Sequence, residues 1–430
     1  MGALGGHMNH LWEDMDITFG DLREIFADAV SGDLEVVEKV DGINMFFTVD
    51  SRGNARFARN STEIKNGGLT QAKMSANYVG HDAEAHFTEG IEAISQLVSK
   101  DYWPLGFSKK NWVNCDMIHK DNPLTLQYSE CAIVIHNASA WKDGKKLRKI
   151  DLSNQFNTLV ENISAHSVPI NGLSWAAYGP IVIDLPDLRG DGISTEADSA
   201  FKVIFENTGL DWDSTLDDFA YYSLMAGVVG NLDISHARKI QLVEAILGRE
   251  NRLRLVDIKK GLTKEYAAKV SALGAKKNRF KVLGEALRPI DKIVTRFSAK
   301  LLKNVHSQLV ENPLEECQRL QDACMAAIML IETADDEWTE QRAQTLDTHR
   351  DRLESAGYYP SAMEGVVFNY GYDKEGVPKQ FKMTGTFAPV NQILGVTRYG
   401  RGAIPALCSN QEMKETTLEV AMIRGMSTIS

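Results

Sequence analysis

Cysteine is scarce and scattered. The five in 430 residues (Cys115, Cys131, Cys317, Cys324 and Cys408) form no Cys-x-x-Cys pair and no even framework, so the pattern gives neither a zinc ribbon nor disulfides. A reducing, cytoplasmic setting is expected. No apolar run approaches the roughly 18 residues of a membrane span, so no membrane partner is expected. The opening "MGALGGHM" is small and flexible, with no apolar signal-peptide core after it. We read residues 1–8 as an expression scar, with the native start at Met8. Internal repeats and low-complexity tracts are also lacking.

Positive charge is in deficit overall, with 47 Lys and Arg against 58 Asp and Glu, a net charge of −11. That balance argues against a chain that coats nucleic acid throughout. The deficit is uneven. From Arg238 to Lys303 there are 18 Lys and Arg against 6 Asp and Glu, a local balance of +12 that leaves about −23 for the remainder. One segment is built to meet anions.

The stretch "LEVVEKVDGINMFFTVDSRGNARFARN" (34–60) holds three β-rich runs separated by "DG" and "SRGN", and predicts an antiparallel meander. Phe87, Ile91, Ile94, Leu97 and Val98 fall at helical spacing. Strands are expected again at "WVNCDMI" (112–118), "CAIVIHNA" (131–138) and "AAYGPIVIDL" (176–185). From about Thr195 to Ala356 nearly everything scans as helix, before strand character resumes at "MEGVVFNY" and "KQFKMTGTF". The expected division is a first α+β part (9–190), a basic helical block (191–356), a second sheet part (357–395) and a tail (396–430).

Lys39 stands two residues ahead of the Asp41-Gly42 turn, with Asn44 two residues beyond. Downstream come Arg59 in "ARFARNS", Asp116 in "NWVNCDMIHK", Glu364 in "MEGVVF" and Lys382 in "PKQFKMTG". A strand end beside a tight turn would hold an amine rigidly, and a glycine would admit a ligand close to the backbone. Taken singly, Lys39 could equally be a solvated lysine before a hairpin, and Arg59 a cross-strand ion-pair partner.

In this order the residues resemble motifs I, III, IV and V of the covalent nucleotidyltransferases, which include the ATP-dependent DNA and RNA ligases and the mRNA capping enzymes. "EKVDGIN" is most similar to the RNA ligases of the phage T4 RNA ligase 2 group. The resemblance covers residues 34–140 and 360–385. It implies an α+β fold: an antiparallel-sheet nucleotidyltransferase domain, ATP-grasp-like, with a large all-helical insertion between motifs IIIa and IV. It implies Lys39 as the nucleophile that takes AMP from ATP. Asp41, Gly42, Asn44, Arg59, Asp116, Glu364, Lys379 and Lys382 become nucleotide-binding, with Glu364 also holding Mg²⁺.

Three departures stand out. Asp116 replaces the usual glutamate of motif III, one methylene shorter. "CAIVIHNA" offers Ile133, Val134 and Ile135, followed by His136, where motif IIIa has a stacking aromatic; an aliphatic sandwich of the base is one alternative, and His136 reads as a core or strand-end histidine. Motif V has Gln380 where a first lysine is expected, so either Lys382 acts alone or a bulge turns Lys379 inward.

The helical block carries cations at Lys276, Lys277 and Arg279, with Phe280 and Phe297 nearby, and is expected to contact phosphate backbones. Leu314, Cys317, Leu320, Cys324, Ile328 and Ile331 lie on one helical face and read as core. The expected activity is sealing of 5′-phosphate to 3′-hydroxyl ends, RNA before DNA. Two alternatives stay open: a DNA ligase or other protein-AMP nucleotidyltransferase, and a catalytically silent nucleic-acid-binding protein of the same fold.

Overall fold

A computed structural model of the chain describes residues 10–81, 83–99, 110–147, 150–164, 166–249, 255–275, 278–306, 313–332, 363–372 and 378–398. The protein is α+β. Its strands are β1 (Val36–Lys39), β2 (Ile43–Val49), β3 (Ala55–Ala58), β4 (Asn111–Ile118), β5 (Cys131–Lys142), β6 (Lys145–Leu147), β7 (Ser167–Ile170), β8 (Leu173–Tyr178), β9 (Val182–Ile183), β10 (Gly365–Tyr372) and β11 (Pro378–Met383). They form two sheets. One is four-stranded, in the order β11-β10-β1-β9; the other runs β3-β2-β4-β5-β8-β7, with the short β6 folded back on β5.

The expected meander does not form. β2 and β3 make a hairpin, but β1 pairs with β10 and β9 in the other sheet. The Asp41-Gly42 step is therefore a crossing between sheets. "AAYGPIVIDL", expected as one strand, divides in the same way: β8 joins the larger sheet and β9 the smaller, broken at Gly179-Pro180. Because β5 and β8 run parallel, the larger sheet is mixed rather than antiparallel.

Alternation along β2, β4 and β5 turns Met45, Cys115 and Ile133 to one face, where α3 (Gln71–Ala76), α4 (Ile91–Ser99) and α5 (Ser153–Ser164) cover them. A π-helical turn at His86–Gly90 precedes α4, so the expected single amphipathic helix is divided. The opposite face carries Asn44, Asp116 and Val134 toward the smaller sheet.

The smaller sheet packs on helices. These are α1 (Phe19–Ser31) together with α6 (Ile193–Thr208), α7 (Leu216–Ala226), α8 (His236–Leu247) and α12 (Arg288–Val305). One continuous core holds Phe19 and Phe26 of α1, Val36 of β1, Phe201 of α6, Phe297 of α12 and Phe368 of β10. Phe26 and Phe297 stack at 3.9 Å. The helical block is thus an insertion in chain order that shares its core with the sheet around it, and Phe297, expected near a nucleic-acid surface, lies in that core. Leu320 and Cys324 of α13 (Pro313–Glu332) pack against the helix Phe387–Arg398 and Cys317 is buried, while the side chains of Leu314, Ile328 and Ile331 lie outside the described residues.

The four described cysteines are buried and form no disulfide with one another. Among the described residues no helix is long and apolar enough to cross a membrane.

Candidate active site

β1 and β10 supply the two halves of the site. Their antiparallel register sets Lys39 opposite Gly365 at the end of both strands. Gly365 has φ +149°, and a Cβ there would collide with the Met383 carbonyl of β11, so glycine is required. Just before it, Glu364 presents its carboxylate to Lys39 Nζ in a half-buried ion pair.

Burial alone would lower the pKa of the Lys39 ammonium. The carboxylates of Glu364, Asp116 and Asp41 outweigh that and hold it above the ordinary lysine value. Glu364 is itself pushed up to about 7, because its burial exceeds the pull of Lys39. Lysine and carboxylate are therefore both protonated more readily than in water.

The larger sheet contributes one row of residues. Asn44, Asp116, Val134 and Tyr178 are successive Cα partners across β2, β4, β5 and β8. Gly42 lets this row close up, since a Cβ there would lie 2.9 Å from Asp116 Cβ and 3.1 Å from the Met117 carbonyl. The close approach expected of Gly42 is to strand β4. Asn44 Nδ2 donates to Asn114 Oδ1 at 2.7 Å and to the Cys115 carbonyl at 3.3 Å. His136 is the extra residue of a β-bulge: Ile135 pairs with Cys115 and Asn137 with Asn114, leaving His136 between them. Its Nε2 lies 2.9 Å from Asp116 Oδ2. The histidine read from the sequence as a core or strand-end residue is a partner of Asp116.

Asp41 sits differently from a ligand-facing carboxylate. Its Oδ2 accepts the backbone amides of Thr125 at 2.7 Å and Leu126 at 2.8 Å, fixing the loop between β4 and β5. The Asp41 amide donates to Tyr128 Oη at 3.0 Å, and that hydroxyl lies 3.4 Å from Glu38 Oε1. Glu38 is buried, and burial raises its carboxyl to about 7 against the hydrogen bond from Tyr128 and the charge of His136.

Other expected ligands face elsewhere. The β2–β3 hairpin returns Arg59 beside β2, but its guanidinium lies 5.1 Å from the ring centroid of Phe87, a residue of the core on the helical side. Lys379 reaches Asp14 at 3.3 Å. The one-residue shift between β10 and β11, between Asn369 and Tyr372, does not turn it toward Lys39. Lys382 is buried and pairs with Val367, on the same strand face as Gln380. Arg279, at the start of α11 (Arg279–Ala286), donates to the Leu247 carbonyl at the C-terminal end of α8, a helix cap rather than a projecting cation. Lys276 and Lys277 lie outside the described residues.

The aliphatic base sandwich is not available in this arrangement. Ile133 and Ile135 belong to the helical-side core, while Val134 is fully covered beneath Val40, Tyr128, Tyr178 and Ile181. The aromatic in this row is Tyr178, one strand further along, whose hydroxyl donates to Glu130 Oε1 at 3.0 Å.

The structure thus brings Lys39, Glu364, Asp41 and Asp116 into one electrostatic neighbourhood, with Asn44 beside Asp116. Sequence reasoning missed Glu38 and Tyr128, and it missed the pairing of His136 with Asp116. No local pattern marks the first two, and a bulge is invisible to period-two alternation. No protein-family model matches the chain, and no curated protein matches it significantly.

Proposed function

We propose that the protein is an ATP-dependent RNA ligase of the covalent nucleotidyltransferase kind, forming a lysyl-AMP intermediate at Lys39. One observation carries the reading: Lys39, Asp116 and Glu364, far apart in the chain, meet where the two sheets join, with the lysine and Glu364 ion-paired. A lysine that only flanked a turn would need no such company.

The amine must lose a proton before it can attack phosphorus. Glu364, in contact with Nζ, is the nearest acceptor, and because the carboxylates around Lys39 favour its ammonium, the proton would leave only once charge bound with the nucleotide offsets them. The neutral Nζ would then form an N–P bond to the α-phosphorus of ATP while the bond to pyrophosphate breaks. Lys382 of β11, two strands from Lys39 across β10, would supply positive charge as the leaving group gains negative charge. AMP would pass to a 5′-phosphate end, and a 3′-hydroxyl would displace it to join the strands.

Among the described residues no group of three His, Cys, Asp or Glu side chains is arranged to cage a metal. The oxygen donor of Glu364 nonetheless fits Mg²⁺, which keeps water and phosphate oxygens for most of its shell. Bound there, Mg²⁺ would supply charge neutralisation on the phosphates. Glu364 would hold it, with the shell completed by the nucleotide and water.

The test is incubation with α-labelled ATP and Mg²⁺ followed by denaturing electrophoresis. Label on wild type, absent from Lys39→Ala, is expected. Undiminished label on Lys39→Ala would remove the nucleophile. Gln380, together with the Asp14 contact of Lys379, favours one other reading, a nucleic-acid-binding protein that does not carry AMP. An unlabelled wild type would select it. If label forms, nicked 5′-phosphorylated RNA and DNA offered together should show RNA sealed faster, and preference for DNA would replace RNA ligase with DNA ligase.

A further inference from the structure

The basic segment has a structured centre that the residues singled out from sequence do not include. Lys292, Arg296 and Lys300 recur every four residues along α12, on the side that faces α6. Between the two helices lies a groove of about 210 Å³. Its apolar floor includes Ile193, Ala197 and Ala200 of α6, with Ile293 of α12. Glu196 of α6 lines it too, and its carboxylate accepts from both Arg296 and Lys300.

Three features of this groove bear on its ligand. The cations form a line rather than a cluster, rising about 6 Å from one to the next along the helix. Arg296 and Lys300 converge on one oxyanion position, and Lys292, about 6 Å before Arg296 along the helix, is placed for the next phosphate of a strand. Arg296 and Lys300 already hold a carboxylate between them, so their geometry is set for an oxyanion before any ligand arrives. The cations lining the groove outnumber that carboxylate, and the floor beside them can receive the flat, less polar side of a nucleotide.

We propose that the α6–α12 groove binds the sugar-phosphate backbone of a single nucleic-acid strand through Lys292, Arg296 and Lys300. Glu196 occupies an oxyanion position that a strand phosphate takes over on binding. The choice of nucleic acid over other polyanions rests on the ligase reading above; the groove and its linear charge do not.

The experiment is fluorescence anisotropy of a labelled 20-nucleotide single-stranded RNA with the full chain, titrated across a range of salt concentrations without ATP. Lys292→Ala/Arg296→Ala/Lys300→Ala should bind about tenfold or more weakly and lower the slope of log affinity against log salt by about 1.4, as loss of two single-strand phosphate contacts requires. Glu196→Gln should bind about threefold more tightly. Thermal melts identify any variant that has not folded, and Lys292→Ala alone, with a slope change of about 0.7, then serves in place of the triple variant. An unchanged slope in the folded variant, or equal or weaker binding by Glu196→Gln, overturns the proposal. So does displacement of the RNA by phosphatidylserine vesicles more readily than by unlabelled RNA at equal phosphate, which would assign the groove to a membrane surface. Binding is read without catalysis, so the two proposals fail separately. A chain that labels Lys39 but shows no slope change loses the groove only, and one that shows the change but never labels loses the ligase reading only.

Discussion

Glu38 carries an ionisable group into a place that disfavours its charge. It is 5% exposed, and burial raises its carboxyl from 4.5 to about 7. A carboxyl raised on folding favours the native state fully below its unfolded pKa, and that contribution is lost as pH climbs through the folded value. Wild type should therefore lose on the order of 1–3 kcal/mol between about pH 4.5 and 7 from this residue. Glu38→Gln should lack that part of the slope and gain relative stability at pH 8. Urea unfolding at pH 5 and pH 8 measures it, and parallel pH dependence in the two proteins would contradict the assignment. Lys39 and Glu364 were legible in the sequence because each sits in a short pattern with fixed neighbours. Glu38 was not, since a glutamate before a lysine in a β-rich run looks like any solvated strand residue.

Among the elements, the loop between β4 and β5 joins the Lys39 region to the later helices. Asp41 holds the Thr125 and Leu126 amides, Arg319 of α13 donates to the Thr125 carbonyl at 2.6 Å, and Asn391 Oδ1 accepts from Thr125 Oγ1 at 2.9 Å. Asp41→Ala would leave two buried amides without their acceptor, at a cost of about 2–4 kcal/mol. Hydrogen exchange at residues 124–127 should accelerate in this variant well beyond that in β5. Equal protection in both proteins would mean that Arg319 and Asn391 hold the loop unaided. The same scale explains what the sequence misreported. "DG" is a sound turn signal, and β1, β2 and β3 were each expected, but local chemistry cannot say whether the strands on either side of a turn pair with each other. β1 finds its partner in β10, more than 320 residues later. "AAYGPIVIDL" failed for the same reason: β8 and β9 are both strands, and only distant partners divide them between sheets.

For the whole molecule, the decisive feature is the core that α1, the smaller sheet and the inserted helices share. A change of sequence character at about residue 191 marked a helical insertion but not the core it shares with the sheet, because composition registers where helices begin and not what they bury. Phe297→Ala would remove a ring stacked on Phe26 and should cost about 3–5 kcal/mol. The loss should be felt on both sides of that boundary. Exchange-protected amides in α12 and in β1 should become labile together in denaturant, in a single transition. Loss of α12 protection with β1 intact would show that the helices unfold on their own.

Among the described residues the chain passes between the two sheets twice, at Val40–Gly42 and at Gly179–Ile181, and the passes are neighbours. β1 lies beside β9, the Glu38 amide donates to the Ile181 carbonyl at 2.7 Å, and Val40 and Ile181 share a small apolar cluster. Mechanically this is a hinge with two pins. With one pin, the sheets could twist or slide past each other and carry Lys39 out of line with Asp116. With two, the allowed motion is a swing about the line joining the pins, and Lys39, next to one of them, sits near the axis. Any relative motion of the sheets about that line would move residues far from it most and Lys39, beside one pin, least.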